Sequence, residues 1–212
     1  MIIAMKTINS LITLSVISFF LSSAGLRAEE SPLTKEVTSR LERLFEASKK
    51  VNIEGPEKQK AREVIEKAMD WEKIAQMCLG AKQAKKNAGK NFEDFRSLLK
   101  EVITRTAFTR LDKFWDGNTN YKFEKIDVQG SNAKVPTKFF VKWEPFELDY
   151  YFTKKVGEWL IYDISYEEIR YSTNISEQID AFLKEGNFSN LLSKLKKRRD
   201  TLVEEEAKPK KT

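Results

Sequence analysis

Val135-Pro136-Thr137-Lys138-Phe139-Phe140-Val141-Lys142-Trp143, followed by Phe146-Glu147-Leu148-Asp149-Tyr150-Tyr151-Phe152-Thr153, decides the fold of this chain. In the first run Val135, Thr137, Phe139, Val141 and Trp143 alternate with Pro136, Lys138, Phe140 and Lys142. In the second, Phe146, Leu148, Tyr150 and Phe152 alternate with Glu147, Asp149, Tyr151 and Thr153. A period of two sends neighbouring side chains to opposite faces, so each run is a strand with one buried face. Pro145 is read as the break between them. Lys154 to Gly157 is the next turn, and Trp159 to Ile164, apolar on both faces, is read as a central strand. Upstream, Tyr121 to Gln129 is a strand closed by the turn Gly130-Ser131-Asn132. The four strands follow one another as in a meander.

On both sides the apolar period lengthens to that of a helix. Val37, Leu41, Leu44 and Phe45 mark a helix within 32–51, and Gly55-Pro56 breaks the chain after it. Ala61, Val64, Ile65, Ala68 and Met69 form the next stripe. Asp70 is placed to cap a further helix carrying Trp71, Ile74, Ala75, Cys78 and Leu79, with Gly80 as its stop. The Lys-rich segment 81–90 is read as a loop or mobile turn. Phe92, Phe95, Leu98, Leu99, Val102 and Ile103 mark the strongest helix, running to about Phe114 and ending at Asp116-Gly117-Asn118. After the strands come Ile175, Ile179, Phe182 and Leu183, stopped by Gly186, then Phe188, Leu191, Leu192 and Leu195. Helices, then strands, then helices argue α+β: a curved antiparallel sheet of about four strands packed against N- and C-terminal helices.

The first 28 residues have the order of a secretory signal: Lys6, an apolar stretch from Ile8 to Leu21, then small and polar residues to Ala28. Cleavage after Ala28 or after Ala24 fits. The competing reading is an uncleaved anchor, but a membrane span needs about 20 mostly apolar residues and this stretch is interrupted by Asn9, Ser10, Thr13, Ser15 and Ser18. The expected organisation is a signal over 1–28, one domain over 29–203 and a charged tail over 204–212. Without Lys6 and Arg27 the formal charge falls from +6 to +4. Mixed charge along an exported chain does not suit nucleic acid.

The sequence contains one cysteine, Cys78, and no histidine. No internal disulfide can form, and Ser-His-Asp, Cys-His and His-containing zinc chemistry are all excluded. No phosphate-loop or dinucleotide motif occurs, and no cofactor is expected.

Three segments resemble the MlaC (toluene-tolerance) family. They are Asp70-Trp71-Glu72-Lys73-Ile74-Ala75 with Leu79-Gly80 and Asn91-Phe92-Phe95-Leu98-Leu99; Trp159-Leu160-Ile161-Tyr162-Asp163-Ile164; and Asn174 with Gln178, Phe182-Leu183, Gly186 and Leu191-Leu192-Leu195. The chain departs from the family at Ala81–Lys85, where a Trp is usual, and at Ile175-Ser176, where Tyr-Arg usually follows Asn. This marks a divergent member. The resemblance implies a periplasmic phospholipid carrier, monomeric and not an enzyme. Its implied partners are phospholipid, an outer-membrane lipoprotein complex and an inner-membrane ABC transporter complex.

A carrier must hide acyl chains, so an apolar cavity between sheet and helices is expected. Its candidate walls are Phe139, Val141, Leu148, Tyr150, Phe152 and Ile161 on strands, and Ile74, Phe95, Leu98, Leu99 and Val102 on helices. The same residues would serve equally as a filled core. Two rivals remain open from the residues. One is an isomerase or dehydratase of the nuclear-transport-factor type, using Asp149, Asp163, Tyr150 and Tyr162. The other is a protein-binding adaptor with a filled core.

Overall fold

The computed structural model describes residues 31–51, 53, 55–115, 117–141 and 144–207. The segment read as a signal, 1–28, lies outside them. Five helices come first: α1 (Pro32–Ser48), α2 (Pro56–Lys67), α3 (Trp71–Leu79), α4 (Ala81–Lys86) and α5 (Lys90–Phe114). The strands follow: β1 (Asn120–Phe123), β2 (Asp127–Gln129), β3 (Asn132–Val141), β4 (Glu144–Lys155), β5 (Glu158–Tyr166) and β6 (Ile169–Arg170). Helices α6 (Tyr171–Glu185) and α7 (Phe188–Ala207) complete the chain. Asp70 caps α3 as expected, its side chain accepting from the Lys73 backbone N–H.

The sheet is antiparallel, in the order β1-β3-β4-β5-β6, with β2 also paired to β3. Its core face carries Ala133, Val135, Thr137 and Phe139 opposite Phe152, Tyr150, Leu148 and Phe146. The other face carries charged pairs across strands, Lys134–Asp149 at 2.8 Å and Lys138–Glu147 at 3.4 Å. The alternation in the sequence is therefore the division between core and solvent.

Four details differ from the sequence expectation. The strand expected over 121–129 is two short strands, because β3 presents Pro136 there. Pro136 accepts a hydrogen bond from the Glu124 N–H at 2.9 Å but has no N–H to return, and the register slips by one residue before β2 begins. Pro145 lies inside β4 rather than breaking it. Its stretch of β4 pairs only with β3, since β5 joins at Leu148, so the missing N–H leaves no ladder bond unmade. Segment 81–86 is a short helix with no buried residue, and so leaves no apolar period to detect. Finally, β5 is flanked by β4 and by a two-residue β6, but its early part is also covered by the α2–α3 link. The Asp70 N–H donates to the Ile161 carbonyl, and the Ile161 N–H to the Ala68 carbonyl, both at 2.8 Å.

A bulge in β5 decides which of its side chains reach the core. Phe152 faces Ile161 while Tyr151 faces Asp163, so Tyr162 is an extra residue. One inserted residue reverses the alternation, which brings both Ile161 and Ile164 to the core face beside Phe152 and Tyr150. Beyond the bulge, Asp163 and Ser165 turn to the outer face with Asp149 and Tyr151.

The core has three parts. Helix α1 lays Val37, Leu41, Leu44 and Phe45 on the sheet. Phe45 sits among the rings of Trp115, Tyr121, Phe123, Phe139 and Tyr150, with centroids 4.7 to 6.3 Å away. A second cluster joins α3, α5, α6 and α7 around Phe95 and Leu79 and does not involve the sheet. A third, Ala47, Val51, Ala61 and Phe108, ties α1 and α2 to α5.

Candidate lipid cavity

Helix α5 is 25 residues long and spans both large clusters. Its C-terminal half stands off the sheet, and the gap is a cavity of about 330 Å³. Ile103, Thr104, Ala107, Phe108, Leu111 and Phe114 of α5 form one wall. Leu148, Tyr150, Ile161 and Ile164 form the sheet wall; Leu44 and Phe45 of α1, Ile65 of α2, Met69, Trp71 and Trp115 close the sides. Ala107 and Arg110 are exposed as well as lining, so the cavity opens past them.

Two further chambers adjoin it. One, about 270 Å³, shares Met69, Ile103, Ala107, Arg110 and Ile164 with the first and adds Ile74, Cys78, Tyr162, Asp163, Tyr171 and Ser172. The other, about 310 Å³, shares Ile103, Thr106 and Tyr171 with the second and lies between α5, α6 and α7. Chambers of this size fall at the lower end of the range that holds small organic ligands, and an apolar cavity half as large can stay dry.

The expected wall residues are distributed as follows. Leu148, Tyr150 and Ile161 line the first chamber, Ile74 the second, and Leu99 and Val102 the third. Phe139 and Phe152 are completely buried in the sheet-side core, with Val141 packed against it. Phe95 is fully buried in the helical core between Phe92 and Phe188. Leu98 is half-buried and lines no described chamber. Sequence reasoning missed Ile103, Ala107, Phe108, Leu111 and Phe114 as wall. The signal was present: Ile103, Ala107, Leu111 and Phe114 continue the α5 stripe at helical spacing.

The polar groups on the first chamber's wall divide into two sets. Ser48, Trp71 and Trp115 are satisfied: the Ser48 hydroxyl donates to the Phe45 carbonyl and accepts from Trp115 Nε1, and Trp71 Nε1 donates to the Glu66 carbonyl. Thr104 Oγ1 is buried with no hydrogen-bond partner. Burial pushes the Tyr150 phenol well above its ordinary range, so the hydroxyl is neutral.

Of the residues considered for acid–base chemistry, both carboxylates are engaged. Asp149 is paired with Lys134 and accepts from the Ser165 hydroxyl, on the outer face. Asp163 accepts from the Ile164 and Ser172 N–H groups and from the Ser172 hydroxyl at 2.7 Å, anchoring the start of α6. Lys73 lies 3.4 Å over the Tyr162 ring. Burial pushes the Cys78 thiol up to about 12, which makes it an inert wall group.

Among the described residues no helix is long and apolar enough to cross a membrane. A search of curated protein sequences finds no match. Among solved structures, the phospholipid-binding protein from Ralstonia solanacearum, determined in complex with a phospholipid, has the same fold. The TM-score is 0.65 at 18% identity, covering 80% of this chain and 97% of that one. The family model described as MlaC protein matches residues 34–197, and the chain belongs to the MlaC family.

Proposed function

We propose that the protein is a soluble periplasmic carrier of phospholipid, not an enzyme, exported by its N-terminal signal and working as a monomer between two membranes. The observation that carries this reading is the apolar cavity between α5 and the sheet, open past Ala107 and Arg110. A sixteen-carbon chain set free in water costs on the order of 12 kcal/mol, at about 0.8 kcal/mol per methylene. A lined slot removes that cost without catalysis.

A bilayer shelters the same chain equally well. Carrier and membrane therefore nearly cancel, and direction must come from the complexes at each end, an outer-membrane lipoprotein complex and an inner-membrane ABC transporter complex. The basic residues Lys82, Lys85 and Lys86 on α4, and Lys196, Lys197, Arg198 and Arg199 on α7, are suited to steering such encounters.

The test is transfer between vesicles. Donor vesicles holding a self-quenched fluorescent phospholipid are mixed with acceptor vesicles and purified protein lacking residues 1–28. Protein-dependent dequenching is the expected result. No acceleration at any protein concentration would contradict the carrier reading.

A further inference from the structure

We infer that Arg110 holds the anionic head of the bound lipid at the cavity mouth, and that Thr104 and Tyr150 inside donate to its ester carbonyls. This rests on the carrier reading and goes beyond it by assigning the polar end of the ligand: a phosphodiester joined to ester-linked chains.

Arg110 is the one charged side chain among the described residues lining the first chamber, and it also lines the second. Among the described residues it has no ion pair, hydrogen bond or ring contact. That is unusual in this molecule. Arg40, Arg62, Arg96, Arg105, Arg170, Arg198 and Arg199 all face a carboxylate within 4 Å, and of the other described arginines only Arg43, exposed on α1 and away from this chamber, also lacks one. The one carboxylate on the second chamber's wall, Asp163, is already taken by three donors from Ile164 and Ser172. An unpaired guanidinium at the rim of an oily hollow suits a phosphate, which it can bind through two parallel N–H bonds.

Inside, Thr104 is 7% exposed and its hydroxyl is buried without a partner. Tyr150, 6% exposed, lines the same chamber from β4 and makes no hydrogen bond among the described residues. A buried hydroxyl left unpaired is costly, so Thr104 calls for an acceptor on the occupant, and the Tyr150 hydroxyl lining the same apolar chamber can donate to a second. Thr104 lies six residues before Arg110, about 9 Å along the helix axis at 1.5 Å per residue. A glycerophospholipid has this order of groups: phosphate outside, ester carbonyls next, tails deepest. A fatty acid has the charge without the esters, and a diacylglycerol the esters without the charge.

The test compares wild type with Arg110→Gln and Thr104→Val. The ligands are diacyl phosphatidylglycerol, its ether-linked analogue, diacylglycerol and oleate, all read by competition against a fluorescent lipid. Arg110→Gln is expected to weaken diacyl phosphatidylglycerol about tenfold and leave diacylglycerol unchanged. Thr104→Val is expected to weaken the ester-linked lipid about three- to tenfold and spare the ether-linked one. Equal losses for charged and neutral lipids, or no loss, would overturn the Arg110 assignment. Loss on both linkages, or on neither, would overturn the Thr104 assignment. Wild type binding oleate more tightly than phosphatidylglycerol would overturn the choice of a phosphodiester. Wild type binding none of the four would instead sink the carrier reading itself.

Discussion

Leu148→Asp places a carboxylate where an acyl chain is proposed to lie. Leu148 lines the first chamber and is only half-buried, near the end of β4 where β5 terminates. In the empty protein, water entering at the mouth can hydrate the carboxylate, so the fold should survive. A tail filling the chamber expels that water, and the group must then take up a proton or keep the tail out. An ordinary aspartic acid titrates near pH 4, and each pH unit is worth about 1.4 kcal/mol, so protonation at pH 7 costs about 4 kcal/mol. Affinity for a zwitterionic phosphatidylcholine should drop about a thousandfold at pH 7. The sign of the pH effect follows: the bound state takes up a proton, so affinity recovers as pH falls. At pH 5 the cost is about 1.5 kcal/mol and the loss roughly tenfold. Leu148→Asn has no proton to gain and should show a small, pH-independent loss. The assay is titration with fluorescent phosphatidylcholine at both pH values, with circular dichroism to establish folding. A folded Leu148→Asp that binds like wild type at pH 7, or whose loss equals that of Leu148→Asn at both pH values, would refute the placement of the tail.

Ala107→Trp introduces an indole at the shared mouth of two chambers, at an exposed position where it displaces no core atom; lipid binding should fall at least tenfold with the thermal midpoint unchanged or raised, and unimpaired binding would mean the entry lies elsewhere. Cys78 is 1% exposed with its thiol pushed up to about 12, so at pH 8 it should resist a thiol reagent in the native protein and react promptly in denaturant; rapid native labelling would contradict the burial. Val156 has φ 48° beside Gly157 at φ 82° in the β4–β5 hairpin, a left-handed pair for which Asn-Gly is the favoured sequence, and its side chain is fully exposed. Val156→Asn should therefore stabilise by about 0.5–1.5 kcal/mol in urea unfolding, and a loss of stability would mean the Val156 side chain makes contacts that matter.

The sheet was legible because Lys134, Lys138, Glu147 and Asp149 alternate with Val135, Thr137, Phe139, Leu148 and Tyr150, and only a strand gives that pattern one oily face. Helix caps and breaks were legible for the same local reasons, as at Asp70, Gly80 and Gly186. The helix at 81–86 was not, since it buries nothing. Nor was the split between β1 and β2, which depends on a missing N–H at Pro136 on the neighbouring strand. The cavity was legible only as material. Phe139, Phe152 and Leu148 read alike in sequence, yet two are fully buried in the core and one lines a hollow. What separates them is how far α5 stands from the sheet and where the β5 bulge turns Ile164. Both are set by long-range packing that no local spacing records.

The central claim is that the hollow under α5 holds the tails of a phospholipid. The most direct measurement is native mass spectrometry of the protein purified without detergent, with the released ligand identified after organic extraction. The expected result is a mass increment equal to one bound phospholipid, present at near-stoichiometric yield and absent from Ala107→Trp. A protein at its bare polypeptide mass, with no phospholipid in the extract and none taken up from vesicles, would contradict the account.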